Sequence, residues 1–170
     1  AFEKISSKSN TYIENCFKTA IKLINLGIVN NLINGPISKK YFLKNKFLGI
    51  TEYLAKRSNK KNIAMLIFNK KLSVCPITTH LPLKKVSKKI NKSIIFEKIV
   101  LIDNFFKKYF GYKPKIAITG LNPHCESIEK LNEDKRILEP AIRSLIKRKY
   151  RVSGPYSADT IFLKKNRVKF

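Results

Sequence analysis

The chain has 170 residues, 44% of them hydrophobic, with 11 Phe, 7 Tyr and no Trp, which is apolar material enough for a real core and excludes a disordered polymer. The formal charge is +25, from 36 Lys and Arg against 11 Asp and Glu. These basic residues are dispersed in short groups alongside abundant Lys, Asn, Ile, Phe and Tyr, so they read as the solvated surface of a compositionally biased proteome rather than a nucleic-acid footprint.

In chain order, residues 10–27 predict an amphipathic helix. Ile13, Phe17, Ala20, Ile21 and Ile24 recur at helical spacing, Asn10 or Thr11 can cap the start, and Gly27 closes it. IVNNLINGP (28–36) predicts a short strand that Gly35-Pro36 turns out of the sheet. SKKYFLKNK and TEYLAKRS predict two short helices, the second capped by Thr51. NIAMLIF and LSVCPIT, joined by a polar tip at Asn69-Lys70-Lys71, predict an antiparallel hairpin. LKKVSKKI starts a helix after Pro82. SIIFEKIVLIDNFFKKYF predicts a longer one, with Ile95, Ile99, Ile102, Phe106 and Phe110 on one face and Gly111 and Pro114 beyond its end. KIAITGL is a further strand, and NEDKRILEPAIRSLIKRKY a helix with an acidic start and a basic end that suit its dipole. RVSGPYSADTIF predicts a brief strand, a Gly-Pro turn and a loop.

Strands alternating with helices imply an α/β fold with a mixed sheet. No repeat, low-complexity linker or composition break marks an internal domain boundary. Cys16, Cys75 and Cys125 are odd in number and form no CxxC, which argues against a disulfide framework or a zinc ribbon. No apolar run approaches a membrane span and the start lacks signal-peptide zones, so the expectation is a soluble, cytoplasmic protein without membrane partners.

Chemistry concentrates at the two histidines. His80 follows the strand LSVCPIT and His124 follows KIAITGL, each beside a proline (Pro82, Pro123). In open α/β sheets ligands gather beyond the carboxyl ends of strands, and imidazole is both a common metal ligand and an acid–base group near neutral pH. Either histidine alone reads as an ordinary loop residue; two of two at strand ends sets a shared role level with that reading. A metal needs a further ligand, for which Asp159 in SADT, a cysteine such as Cys125, or another subunit are the candidates. Cys125 adjoins His124, and adjacent side chains seldom reach one ion. Neither GxGxxG nor GxxxxGK[ST] occurs, and NGPIS offers only a weak anion-binding turn.

The order of motifs says more than any one of them. INGPISKK, GITEYLAKRS, TTHLPL, GLNPH and GPYSADTIF, spanning about 28–162, resemble in order and near spacing the 4-hydroxythreonine-4-phosphate dehydrogenase family of pyridoxal phosphate (vitamin B6) biosynthesis. The resemblance implies the central part of a two-domain α/β/α dehydrogenase of the isocitrate/isopropylmalate dehydrogenase-like type, which accounts for the missing glycine fingerprint. It implies NAD or NADP as hydride acceptor and a divalent metal, zinc, cobalt or magnesium, at the reacting alcohol of 4-phosphohydroxy-L-threonine. The 3-oxo acid formed would lose carbon dioxide to give 3-amino-2-oxopropyl phosphate. By position, His80 and His124 match two of the family's three metal histidines, Thr51 a substrate-contacting threonine, and Asp159 the aspartate of the ADT loop.

Two departures accompany the match. Where the family often has GHTE this chain has GITE, so Ile50 stands in a substrate-binding position without a hydrogen-bonding group. The family's third metal histidine lies in a downstream HDQ motif, contributed by the partner of a homodimer, and the expectation is that it lies beyond Phe170. The catalytic base and the nucleotide-binding residues are unassigned. The isolated chain is then expected to bind metal weakly and to lack dehydrogenase activity. The alternatives are a dehydrogenase of 4-phosphorylated four-carbon sugar acids, an inactive fragment, and a basic nucleic-acid-binding protein.

Overall fold

The computed structural model describes residues 6–44, 46–125 and 132–170. The chain divides into two compact units, Ala1–Ile63 and Ala64–Phe170. The join falls within the apolar run 62–68, which has no Gly, Pro or Ser to signal it.

In the first unit, helix α1 (Asn10–Asn25) buries Phe17 against Leu43 and Tyr53, with Ile13, Ile37, Phe42, Phe47, Ile50 and Leu54 around them. Four of these rings touch, Tyr53 meeting Phe17, Phe42 and Phe47 edge-on at 5.1–5.4 Å between centroids. Ser9 occupies the cap position rather than Asn10 or Thr11, and Asn10 instead donates from Nδ2 to the Tyr41 carbonyl at 2.8 Å. At the other end Gly27 (φ +71) donates to the Ile24 carbonyl and Ile28 to that of Leu23. That is the paired closure a left-handed residue permits after the last turn.

The strand expected at 28–36 is not formed: the segment makes no ladder with described residues, and Ile28 and Ile33 face outward. An apolar run is a strand only when a neighbour takes its backbone groups, and none of the described residues does. SKKYFLKNK gives a single π-helical turn, Lys39–Leu43, opened by the Ser38 hydroxyl accepting from the Tyr41 amide. Helix α2 (Ile50–Arg57) begins two residues earlier than a Thr51 cap would place it, with extended Gly49 at its cap, so Thr51 lies inside the first turn rather than capping it.

In the second unit the expected hairpin shrinks to one antiparallel bridge, Ile67 with Val74, closed by bonds of 2.8 and 3.0 Å. Its tip is held by side chains: Asn69 Oδ1 accepts from the Lys71 amide, and the Ser73 hydroxyl donates to the Asn69 carbonyl. Polar bonding at the tip has replaced ladder bonding along the arms. Helix α3 (Leu83–Lys89) follows Pro82, and helix α4 (Lys92–Phe110) is capped by the Asn91 side chain and ends at left-handed Gly111. Its apolar stripe buries Ile95, Ile99 and Phe106 as the periodicity predicts, but also Asp103, which pairs with Lys107 one turn on.

Strands β1 (Ile116–Thr119) and β2 (Val152–Tyr156) form a parallel pair, Ile116 opposite Val152 and Ala117 opposite Ser153, with an irregularity before Thr119 and Tyr156. The described sheet is therefore parallel, not mixed. Between the strands lies helix α5 (Glu139–Lys147), preceded by a π-helical turn at Asp134–Leu138. Pro140, at the start of α5, has no N–H to offer the preceding turn, and the change of hydrogen-bond register falls there. Leu145 and Ile142 of α5, Ile95 and Ile99 of α4, Ile118 of β1 and Val152 of β2 make one core. A four-residue helix α6 (Lys164–Arg167) lies near the end. No described helix is long and apolar enough to cross a membrane.

Leu145 has no exposed surface, so Leu145→Ala should cost about 2–5 kcal/mol of the second unit's unfolding free energy in urea. Gly154 (φ +135) sits so close to Ile118 that a Cβ would strike its carbonyl oxygen, and Gly154→Ala should lose at least about 2 kcal/mol. Ile33→Ala, at 95% exposure, should change stability by less than about 0.5 kcal/mol.

Candidate functional site

Because β1 and β2 are parallel, both run out at the same end of the sheet, and the loops there carry His124 and Asp159. After Thr119 the Gly120 amide donates to the Tyr156 carbonyl at 2.7 Å, which keeps the two loops together as the strands end. The chain then folds back sharply. A Cβ on Gly120 would stand 2.6 Å from Cys125 Sγ, so any other residue there would push that thiol from its place over the strand end. The Cys125 amide donates to the Asn122 carbonyl at 3.1 Å, and His124 and Cys125 both take left-handed backbone, φ 55° and 62°. His80, in the loop before α3, has φ 54°. Histidine tolerates this region better than most residues, yet it remains uncommon and is found where surrounding contacts hold the backbone.

In the loop that carries His124, such contacts reach the backbone two and three residues before the histidine and come from Asp134. Its side chain is 1% exposed and accepts from the Leu121 amide (2.7 Å), the Asn122 amide (3.2 Å) and Asn122 Nδ2 (3.0 Å). Glu133 Oε2 takes a second bond from Asn122 Nδ2 at 3.3 Å. Buried Asn132 caps the same helical start, its Oδ1 accepting from the Lys135 amide at 3.1 Å. Sequence reasoning saw in this segment only a favourable charge at a helix start.

On the β2 side the Ser157 hydroxyl donates to Asp159, and the Ile161 amide closes a turn on the Ser157 carbonyl at 3.1 Å. Asp159 Oδ2 lies 3.5 Å from His124 Nδ1, both side chains open to solvent. This is ion-pair range, outside the usual hydrogen-bond range. The Ser157 hydroxyl holds the Asp159 carboxyl below its ordinary value, with His124 adding to the effect.

The expected site residues are thus placed as follows. His124 and Asp159 come together. His80 is exposed in its own loop. Thr51 and Ile50 lie in the first turn of α2 in the first unit, where Ile50 packs among the apolar neighbours of the Phe17 cluster. None of the three cysteines is in a disulfide, and burial pushes the Cys75 thiol up. Among the described residues no three His, Cys, Asp or Glu side chains converge as a metal would need. An apolar cavity of about 490 Å³ in the second unit, lined by Ile99, Phe106, Ile118 and Ile161, reaches Gly120 and Ala158 but neither histidine nor Asp159.

Loops bearing histidine and carboxylate beyond parallel strands are the plan of an α/β enzyme that binds a small polar ligand. Comparison with known proteins makes this specific. Residues 1–170 match the family described as pyridoxal phosphate biosynthetic protein PdxA, and the chain belongs to that family. The 4-hydroxythreonine-4-phosphate dehydrogenase of Sulfurihydrogenibium sp. is 41% identical over 158 residues, covering 91% of this chain and 48% of the relative. The D-threonate 4-phosphate dehydrogenase of Salmonella typhimurium is 31% identical over 163 residues, 94% of this chain and 50% of the relative. A crystal structure of 4-hydroxythreonine-4-phosphate dehydrogenase from Klebsiella pneumoniae superposes with a TM-score of 0.86 at 27% identity, over 98% of this chain and 52% of that one. The chain spans about half the length of the curated relatives it matches.

The lowered Asp159 value has a testable sign. Its contribution to stability is present above the ordinary carboxylate range and fades as pH falls through the lowered folded value. Ser157→Ala should raise the Asp159 midpoint in a carboxyl carbon NMR titration; an unmoved midpoint contradicts this account of the loop.

Proposed function

We propose that the protein carrying this chain is a divalent-metal- and NAD(P)-dependent 4-hydroxythreonine-4-phosphate dehydrogenase of vitamin B6 biosynthesis. It oxidises 4-phosphohydroxy-L-threonine to the 3-oxo acid, which decarboxylates to 3-amino-2-oxopropyl phosphate. The observation that carries this reading is the His124–Asp159 pair beyond two parallel strands, in a chain whose 170 residues all match the family. With it go the isocitrate/isopropylmalate dehydrogenase-like fold, with these residues as its central part, and a cytoplasmic homodimer.

Two imidazoles are a donor set suited to zinc or cobalt more than magnesium. Since no three donors converge among the described residues, His80 and His124 would hold such an ion together with a donor from elsewhere. The bound ion would polarise the substrate alcohol and stabilise charge on its oxygen. Asp159 faces Nδ1 of His124, so Nε2 would be the nitrogen available to hold the ion. Thr51 is assigned to the substrate.

A second reading keeps the chemistry and changes the substrate. Ile50 packs against the aromatic cluster and offers no hydrogen bond, and a relative at 31% identity is named for D-threonate 4-phosphate. Turnover of both compounds by the protein carrying this chain, followed as NAD(P)H, decides between them. The first reading requires the higher kcat/KM for 4-phosphohydroxy-L-threonine, and a preference for D-threonate 4-phosphate would overturn it. His80→Ala or His124→Ala should each lower kcat/KM by more than about 100-fold, since even outer-shell partners of a metal are worth 10–100-fold. The 170 residues alone should produce no NAD(P)H.

A further inference from the structure

We propose that Asp134 is the positioning residue for the His124 imidazole: its buried carboxylate fixes the loop after β1, and through that loop sets where His124 points. The proposal rests on the reading of His124 as a metal donor, but its first test involves no metal.

The ordinary role for an acidic residue at a helix start is to serve its own helix. Asp134 does not fit that role. Asn132 caps the Lys135 amide, and the described donors to the Asp134 side chain all belong to Leu121 and Asn122, 13 and 12 residues earlier. A carboxylate is suited to this because it is acceptor-only at both oxygens and can take three N–H groups at once. Asparagine of nearly the same shape has one acceptor oxygen, and its amide hydrogens would confront the donors of Asn122.

What the carboxylate holds is a short segment whose every turn is constrained. The Gly120 amide is tied to Tyr156, Leu121 and Asn122 are tied to Asp134, and the Cys125 amide is tied back to Asn122. His124 is the residue inside that last turn, with left-handed backbone. Released at Leu121 and Asn122, the loop loses the contacts that keep His124 in this sparse conformation and beside Asp159.

The test uses the 170-residue chain with amide hydrogen exchange and nitrogen-labelled histidine NMR. In Asp134→Asn, exchange at Leu121 and Asn122 should quicken at least about tenfold and the His124 ring resonances should move, while those of His80 stay. Asn132→Ala, which weakens the same helical start without touching the loop, should quicken Lys135 alone. Asn122→Ala removes one arm of the tether, leaves the carboxylate in place and should also move the His124 ring; it serves if Asp134→Asn does not fold. Cobalt(II) titration of the protein carrying this chain should then show affinity about tenfold weaker in the Asp134 and Asn122 variants and unchanged in Asn132→Ala. An unmoved His124 ring in the tether variants overturns the proposal. If the ring moves as expected but the wild-type protein carrying this chain takes up no cobalt, the tether stands and the metal reading of His124 falls.

Discussion

A carboxylate with 1% of its surface exposed must find its partners inside the protein, because burying it unpaired would cost several kcal/mol. Asp134 finds them in the backbone of a loop that ends a strand. The bond therefore couples three things: the start of α5, the end of β1, and the segment that delivers His124. The core packs α5 against both strands through Leu145 and Ile142, so the point to which the loop is tied is itself held by apolar burial. Rigid helix, buried acceptor and strained loop form one chain of constraint from packing to chemistry.

Parallel pairing is the second constraint, and it acts through direction. Were β2 antiparallel to β1, the Asp159 loop would leave from the opposite end of the sheet. Parallel strands instead bring Ser157 and Asp159 out beside Gly120 and His124, joined by the Gly120–Tyr156 bond. Gly154 belongs to the same design, since any side chain there would push β2 off Ile118.

Much of this was legible from residue order. The stripe of Ile95, Ile99 and Phe106 marked α4, Gly27 and Gly111 marked helix ends, and the two histidines marked loops after apolar runs. What local pattern could not carry was pairing. Residues 28–36 and the arms of the expected hairpin have strand-like composition, but a ladder depends on a neighbour that composition does not name. Asp134 is the sharpest instance. Its place at a helix start was visible, whereas the loop it serves lies 12 and 13 residues away and leaves no periodic trace. Ile50 shows the converse: the residue expected from the motif order to stand at a substrate position is observed as an apolar neighbour of the Phe17 cluster, a packing role that the motif did not suggest.

The central claim is that the two histidine loops are donors to one divalent ion. X-ray absorption of the cobalt-loaded 170-residue chain tests it directly. The account predicts scattering from two imidazoles per ion, falling to one in either His80→Ala or His124→Ala. An ion surrounded by water oxygens alone, or one whose imidazole scattering survives both substitutions, would contradict it.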